Sequence, residues 1–377
     1  MHGKLLFALC RTCCEEMRQS DCCHSDASQR EFSGIWVADE LRKAIELGYT
    51  ITEIFVIWQY SMIEYDPLTG EGVLFAGYIN TFLRLKLEAS GFPTWCVDAE
   101  SKARYVREYR ENEGTSLDLE KIAKIPGLRT VAKLCLNSFW GKFGQRDNLK
   151  QTVIVKERED LLKLPTAEDK EVLSLLLVNE EVMYASWQYI DDAVESTPYT
   201  NVVIAAYTTT LARLKLFSYL EKLGKRTLYC DTDSCIFVCI ENAQEYRPPS
   251  GSLLGDMTNE LDEGTYITRF LSGGPKFYGY RTVNSRTGEV SKKCKVKGIL
   301  LNFSNSLRIN YPSIKSMIEN YFKPDEENEC ITLKFNSIKR LPDHTVVTRE
   351  EVKSCSIVLK KRRYVTPGLS LPYGYKS

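Results

Sequence analysis

No stretch of this 377-residue chain approaches the roughly 20 consecutive apolar residues that a membrane-spanning helix needs. The apolar run from Leu5 to Cys10 is too short for the core of a secretion signal, and cysteines follow it directly. Net charge is also missing. Fifty Lys and Arg offset 50 Asp and Glu, so contact with nucleic acid has to come from local basic patches. Internal repeats and long low-complexity linkers are absent too, which excludes solenoid arrays and extended disordered tails. What remains is a globular composition, 43% hydrophobic and 27% charged, with length enough for two or three domains. The 13 cysteines are scattered, with Cys135, Cys230 and Cys235 inside apolar stretches. That fits buried thiols in a reducing compartment, the nucleus in a eukaryote, better than a disulfide framework.

Periodicity predicts a mixed α+β chain. "GIWVADELRKAIELGYTITEIFVIWQY" reads as a helix, a stop at Gly48, and a strand from Ile51 to Trp58. Gly72 to Ser90 has apolar residues at helical spacing, ended by Gly91-Phe92-Pro93. "DLEKIAKIPGLRTVAKLCLNSFWGKFG" predicts a short helix, a break at Pro126-Gly127, and a longer helix through about Trp140. From Gln151 to Ile190 the pattern is β-rich, with a hairpin around Asn179-Glu180. A long helix closed by Gly224 follows, then the strand "RTLYC", the turn "DTD" and the return strand "SCIFVCI". Short strands follow, and then a helix from Pro312 to Phe322.

Three motifs carry chemistry. Asp231 and Asp233 on a tight turn beside Ser234 offer the hard oxygen ligands that Mg²⁺ prefers. Arg129 and Lys133 share a helix face and suit a triphosphate, with Asn137 one turn on and Trp140 near enough to pack against a base. Gly141 and Gly144 would let a backbone or template approach. Taken alone, each has an ordinary reading: an Asp-rich hairpin, or an amphipathic helix with solvated bases. The third is Cys10-x2-Cys13 with Cys22-x-His24, two pairs compatible with a tetrahedral zinc site. Cys14 and Cys23 compete as ligands, and a solvated Cys-rich loop is the alternative. Lys292, Lys293, Lys295 and Lys297 crowd one predicted strand, and Lys293, Lys295 and Lys297 alternate onto one face suited to a DNA backbone. "KKRR" (Lys360 to Arg363) fits a nuclear signal, a DNA contact or a solvated run.

"KLCLNSFWGKFG" followed by "YCDTDS" resembles two signature motifs of family B DNA polymerases, and "PKFY" resembles the Lys-x-Tyr motif with which that family holds the primer. "FAGYINTFLRLK", "PGLRTVAKLCLNSFWGKFGQR" and "GDMTNEL" are similar to the protein-primed polymerases of Polinton/Maverick transposons and related viruses, over roughly residues 1 to 305. The resemblance implies the fingers, partial palm and thumb of a right-hand architecture. Residues 1–60 would be a Cys-rich zinc-knuckle-like segment with a helix and a strand. Residues 61–147 would be fingers built on two antiparallel helices, and 148–192 the processivity and strand-displacement insertion. Residues 193–300 would be palm and 301–377 thumb.

The resemblance also implies roles. Arg129, Lys133, Asn137 and Trp140 would bind the deoxynucleoside triphosphate. Asp233 and Asp231 would hold Mg²⁺, two ions in a complete enzyme. Lys276 and Tyr278 would bind primer–template DNA. A terminal priming protein would be a further partner. Many family members carry Tyr at the position of Trp140. The family's Asp-x-x-Ser-Leu-Tyr-Pro motif, which supplies the other bridging carboxylate, does not occur in these residues. "DAE" at Asp98 to Glu100 imitates an exonuclease motif but has no companion. The expectation is therefore the C-terminal part of a polymerase. The alternative is a domesticated, zinc-containing remnant that binds nucleic acid without catalysis.

Overall fold

The computed structural model describes residues 6–61, 66, 69, 75–195, 198–240, 244–251, 253–323, 328–341, 345–366 and 368–376. Along the chain run α1 (Arg11–Glu15), α2 (Ala27–Arg30), α3 (Ala38–Glu46), α4 (Ala76–Glu88), α5 (Ala99–Glu113) and α6 (Pro126–Phe143). Then come β1 (Gln151–Val155), α7 (Arg158–Lys163), β2 (Lys170–Leu177), β3 (Met183–Tyr189) and α8 (Val202–Leu223). The remainder comprises β4 (Thr227–Asp231), β5 (Ser234–Phe237), β6 (Thr265–Gly274), β7 (Phe277–Asn284), β8 (Val290–Val296), α9 (Phe303–Arg308), α10 (Tyr311–Tyr321), β9 (Cys330–Arg340), β10 (Val346–Ser356), β11 (Arg363–Thr366) and β12 (Leu369–Leu371). Helix and strand are both substantial, as the α+β expectation requires. The chain forms two compact units, one of residues 1–35, 225–245 and 258–377, the other of 36–224 and 246–257.

The second unit is built on helices. Pro126 does not break a helix but starts one. At the first position of α6 its missing N–H costs nothing and its fixed φ is already helical. The short helix expected before it is only a turn near Leu119–Lys121. That segment is instead held in place by α4: Ala123 N donates to Glu88 O and Ile125 N to Ala89 O. The buried Glu88 carboxylate also accepts from Asp118 N at 2.9 Å. Helices α4 and α6 meet along an aromatic seam, with Tyr78 stacked on Phe139 at 4.5 Å and Phe75 against Phe139 and Phe143. The expected helix from Gly72 begins at Ala76, and residues 70–74 lie outside the described residues. Asp98 of "DAE" caps α5 by a reciprocal capping box with Ser101, which accounts for it without metal chemistry.

Strands β1, β3 and β2 form, in that order, an antiparallel sheet over a core of Val155, Leu164, Ala185 and Trp187. Helix α8 is capped by the Asn201 side chain and tied to α3 by Arg213–Glu40 and Lys43–Glu221 ion pairs. The strand expected at Ile51–Trp58 is not formed. The segment has no regular secondary structure, and Trp58 is 71% exposed. Apolar residues on both sides of an extended run are the pattern of a strand inside a sheet, and among the described residues no strand pairs with it.

In the first unit, β6-β7-β8 form an antiparallel sheet. One face packs Phe277 into a core with Ile309, Ile314, Met317, Leu333 and Ile357, covered by α10 and the β9–β10 hairpin. Strands β4 and β5 form a separate hairpin, and β11 pairs with β12. The last helix spans Tyr311–Tyr321, capped by Asn310 and Ser313.

Candidate functional site

In the second unit a cationic patch forms where α4 ends and α6 begins. Arg129 and Lys133 are both exposed, one turn apart on α6. Lys86 joins them from the last turn of α4. Burial holds its pKa below the usual lysine value, and repulsion from Arg129 and Lys133 pushes it the same way. A polyanion relieves such a cluster. Arg129 Nε donates to Ser90 Oγ at 3.1 Å. Arg129 also edges an open hollow of about 360 Å³ with Ala89, Ser90, Lys124, Pro126 and Thr130. The free N–H groups at the start of α6 add partial positive charge there.

Asn137 and Trp140 continue the exposed face of Lys133 at helical spacing, while Ala132 is buried and Phe139 packs on α4. Gly141 has open space around it, as a passage for another molecule requires. Gly144 does not: a Cβ there would lie 3.1 Å from Ala205 Cβ of α8, so its smallness serves helix packing within the unit. Lys86 and Lys124 were not singled out by sequence pattern. The spacing of "LRLKLE" draws attention to its leucines, and only the fold brings Lys86 to a helix 40 residues on.

In the first unit, Asp231 ends β4 and Asp233 lies beside Thr232 on the two-residue turn into β5. Thr232 has φ 53°, and Asp233 N donates to Asp231 O at 2.6 Å. Asp231 is half-buried and Asp233 exposed. Two carboxylates beside a hydroxyl are a donor set that fits a hard cation. The fold brings the "PKFY" turn to this hairpin. Lys276 Nζ lies 3.2 Å from Asp231 Oδ2, and Lys276 N donates to Tyr229 Oη at 3.0 Å. Tyr229 and Tyr278 rings are 4.8 Å apart. Lys295 pairs across the sheet with Tyr278, and Lys293 with Tyr280. Directly opposed residues share a face, so the sheet shows tyrosines flanked by exposed lysines on the side away from α10. Lys297 is exposed but lies in the turn after β8, outside the alternation expected of it.

The N-terminal cysteines of the same unit converge. One ligand atom each from Cys10, Cys13, Cys22 and His24 lies within 4.8 Å of all the others, and the three cysteines are buried. Burial pushes the Cys13 thiol up to about 12, helped by hydrogen bonds with Cys22 and Cys10. Burial also raises Cys22, but hydrogen bonds from His24 backbone, Cys13 and Cys10 and the nearby Arg30 outweigh it and leave its pKa lowered. Cys22, not the exposed Cys23, completes the group. Three sulfurs and an imidazole are a closed set of the kind that holds zinc. Arg30, whose Nη1 is 3.5 Å from Cys22 Sγ, carried no sequence signal.

Among the described residues no helix is long and apolar enough to cross a membrane. No curated protein and no solved structure was found to match the chain. Residues 120–223, from the approach to α6 through the β1–β3 sheet to the end of α8, match the family described as DNA polymerase type B, organellar and viral. The match includes the Lys133–Asn137–Trp140 face and supports a family B DNA polymerase, whose substrates are DNA and nucleotides.

Proposed function

We propose that this chain carries the nucleotide-binding fingers, part of the palm and the thumb of a protein-primed family B DNA polymerase, of the kind that replicates a transposon or viral genome. The observation that carries the reading is the cationic, one-sided face of α6 inside the matched region. Arg129 and Lys133, joined by Lys86, neutralise the triphosphate of the incoming deoxynucleotide. Asn137 and Trp140 sit at its base. Asp231 and Asp233 are the residues that would hold Mg²⁺, which when bound offsets the negative charge gathering on the phosphates. Lys276 and Tyr278 hold the primer strand, and Lys293, Lys295 and Lys297 contact backbone phosphates without reading bases. The primer hydroxyl attacks the α-phosphate and pyrophosphate leaves.

A second reading, DNA binding without catalysis, is favoured by one fact: no Asp-x-x-Ser-Leu-Tyr-Pro occurs in these residues. One experiment separates the two. The 377-residue chain is expected to bind primer–template DNA but not to extend it. Fusion to a segment bearing that motif is expected to restore extension, and Asp233→Ala or Lys133→Ala to abolish it. Extension by the fusion that survives Asp233→Ala would overturn the assignment of the hairpin. Lack of DNA binding at low salt would overturn both readings.

A further inference from the structure

We propose that the Cys10–Cys13–Cys22–His24 centre binds one structural zinc ion, and that the loaded centre fastens residues 360–366 and 368–376 against the N-terminal loop. Ligand geometry carries the first half. With zinc–sulfur about 2.3 Å and zinc–nitrogen about 2.0–2.1 Å in a tetrahedron, sulfur and nitrogen lie about 3.6 Å apart. The Cys10, Cys13 and Cys22 sulfurs lie 3.5, 3.3 and 3.8 Å from His24 Nδ1. One ring nitrogen with one lone pair cannot accept from three thiols. A shared cation accounts for all three approaches. Three thiolates, a neutral imidazole and a divalent ion leave one negative charge. Arg30 sits against it, with Nη1 3.5 Å from Cys22 Sγ and its other contacts on the His24 and Leu9 carbonyls.

The second half rests on what covers the centre. Tyr373 is fully buried in one cluster with Cys10, Cys13, Cys14 and Cys22. Its backbone bridges the loop on both sides: Leu9 N donates to Tyr373 O at 2.7 Å, and Tyr373 N to Phe7 O at 2.8 Å. Cys22 N, on a ligand itself, donates to Tyr375 O at 3.2 Å. Gly374 has φ 86°, and a Cβ there would lie 2.3 Å from Cys10 Cβ, so the segment lies directly on a ligand residue. Further back, Phe7 N donates to Lys361 O, Tyr364 N to Gln19 Oε1, and the buried Arg363 pairs with Asp21. "KKRR" is therefore not a free basic run: its last residue is buried, and its first two carbonyls accept from Tyr373 Oη and Phe7 N. Without the metal, the loop that offers these partners loses the cross-link that fixes Cys10, Cys13 and Cys22 together.

Two measurements on the full chain test this, and neither depends on polymerase activity. Metal analysis after dialysis is expected to find one zinc per chain, kept by Cys23→Ser and lost by Cys13→Ser. Because Cys13→Ser can cost folding as well as a ligand, cobalt substitution of the unaltered protein gives a separate reading. A thiolate-to-cobalt charge-transfer band is expected, and its absence, like a zinc-free protein, would overturn the site. Limited trypsin digestion reads the fastening. Cleavage at Lys360 to Arg363 should be absent in the zinc-loaded protein, appear on chelation, and be suppressed again by added zinc. Equal cleavage with and without zinc would overturn the clasp.

Discussion

Lys86 is a side chain whose charge opposes stability and, in the proposed reading, serves binding. Its folded pKa lies below the unfolded lysine value, because burial and then Arg129 and Lys133 disfavour the charged form. A depressed lysine costs stability wherever it is charged in the unfolded chain. The cost is complete below the folded pKa and fades as pH rises through the unfolded value. At neutral pH, Lys86→Met is therefore expected to raise the melting temperature of the ligand-free protein. It should also shrink the further rise that a deoxynucleoside triphosphate gives, and thermal melts with and without nucleotide check both signs. Lys276 makes a complementary case. Its ion pair with Asp231 is partly exposed and worth about 0–1 kcal/mol. Lys276→Ala should leave the melting temperature nearly unchanged, weaken primer–template binding, and strengthen Mn²⁺ binding at the hairpin. Weaker metal binding would show that the lysine supports the carboxylates and does not compete for them. Arg129 and Lys133 were legible because four-residue spacing guarantees a common helix face. Lys86 was not, because its neighbours come from another helix.

Secondary-structure elements were legible where local chemistry suffices. Gly224 closes α8 at its C-cap as expected, and the hairpin of β2 and β3 follows its apolar pattern. The strand expected at Ile51–Trp58 does not form, because a strand is a property of two partners and only one is visible in a local window. The segment's exposed Ile54, Phe55, Val56, Ile57 and Trp58 form an apolar surface of the kind that favours self-association. Ile57→Lys is expected to lower the light scattering of concentrated protein with little change in melting temperature. The two glycines near the end of α6 should also part company. Gly144→Val should cost about 1–3 kcal/mol by crowding Ala205, while Gly141→Ala should stabilise by up to about 1 kcal/mol in chemical denaturation. If Gly141→Ala also weakens primer–template binding, the open space at that glycine serves the ligand.

For the molecule as a whole, zero net charge means that any DNA affinity has to come from a few placed lysines. If Lys276, Lys293, Lys295 and Lys297 each meet a phosphate, log affinity should fall against log salt with a slope of about −3 to −4. Replacing one of them should flatten the slope by about one. Three sequence motifs in a fixed order pointed to a polymerase, and the family match at residues 120–223 covers the first of them. The motifs carried no signal that residues 1–35 share a unit with residues 258–377, because such pairing depends on contacts between distant segments. That pairing sets a timetable for synthesis. Gln19 and Tyr364 meet across 345 residues of sequence. At roughly 5–20 residues per second, a ribosome takes about 20–70 s to cover that interval. Throughout it the nascent cysteine loop waits without Tyr373 as its lid, its thiols open to oxidants and chaperones.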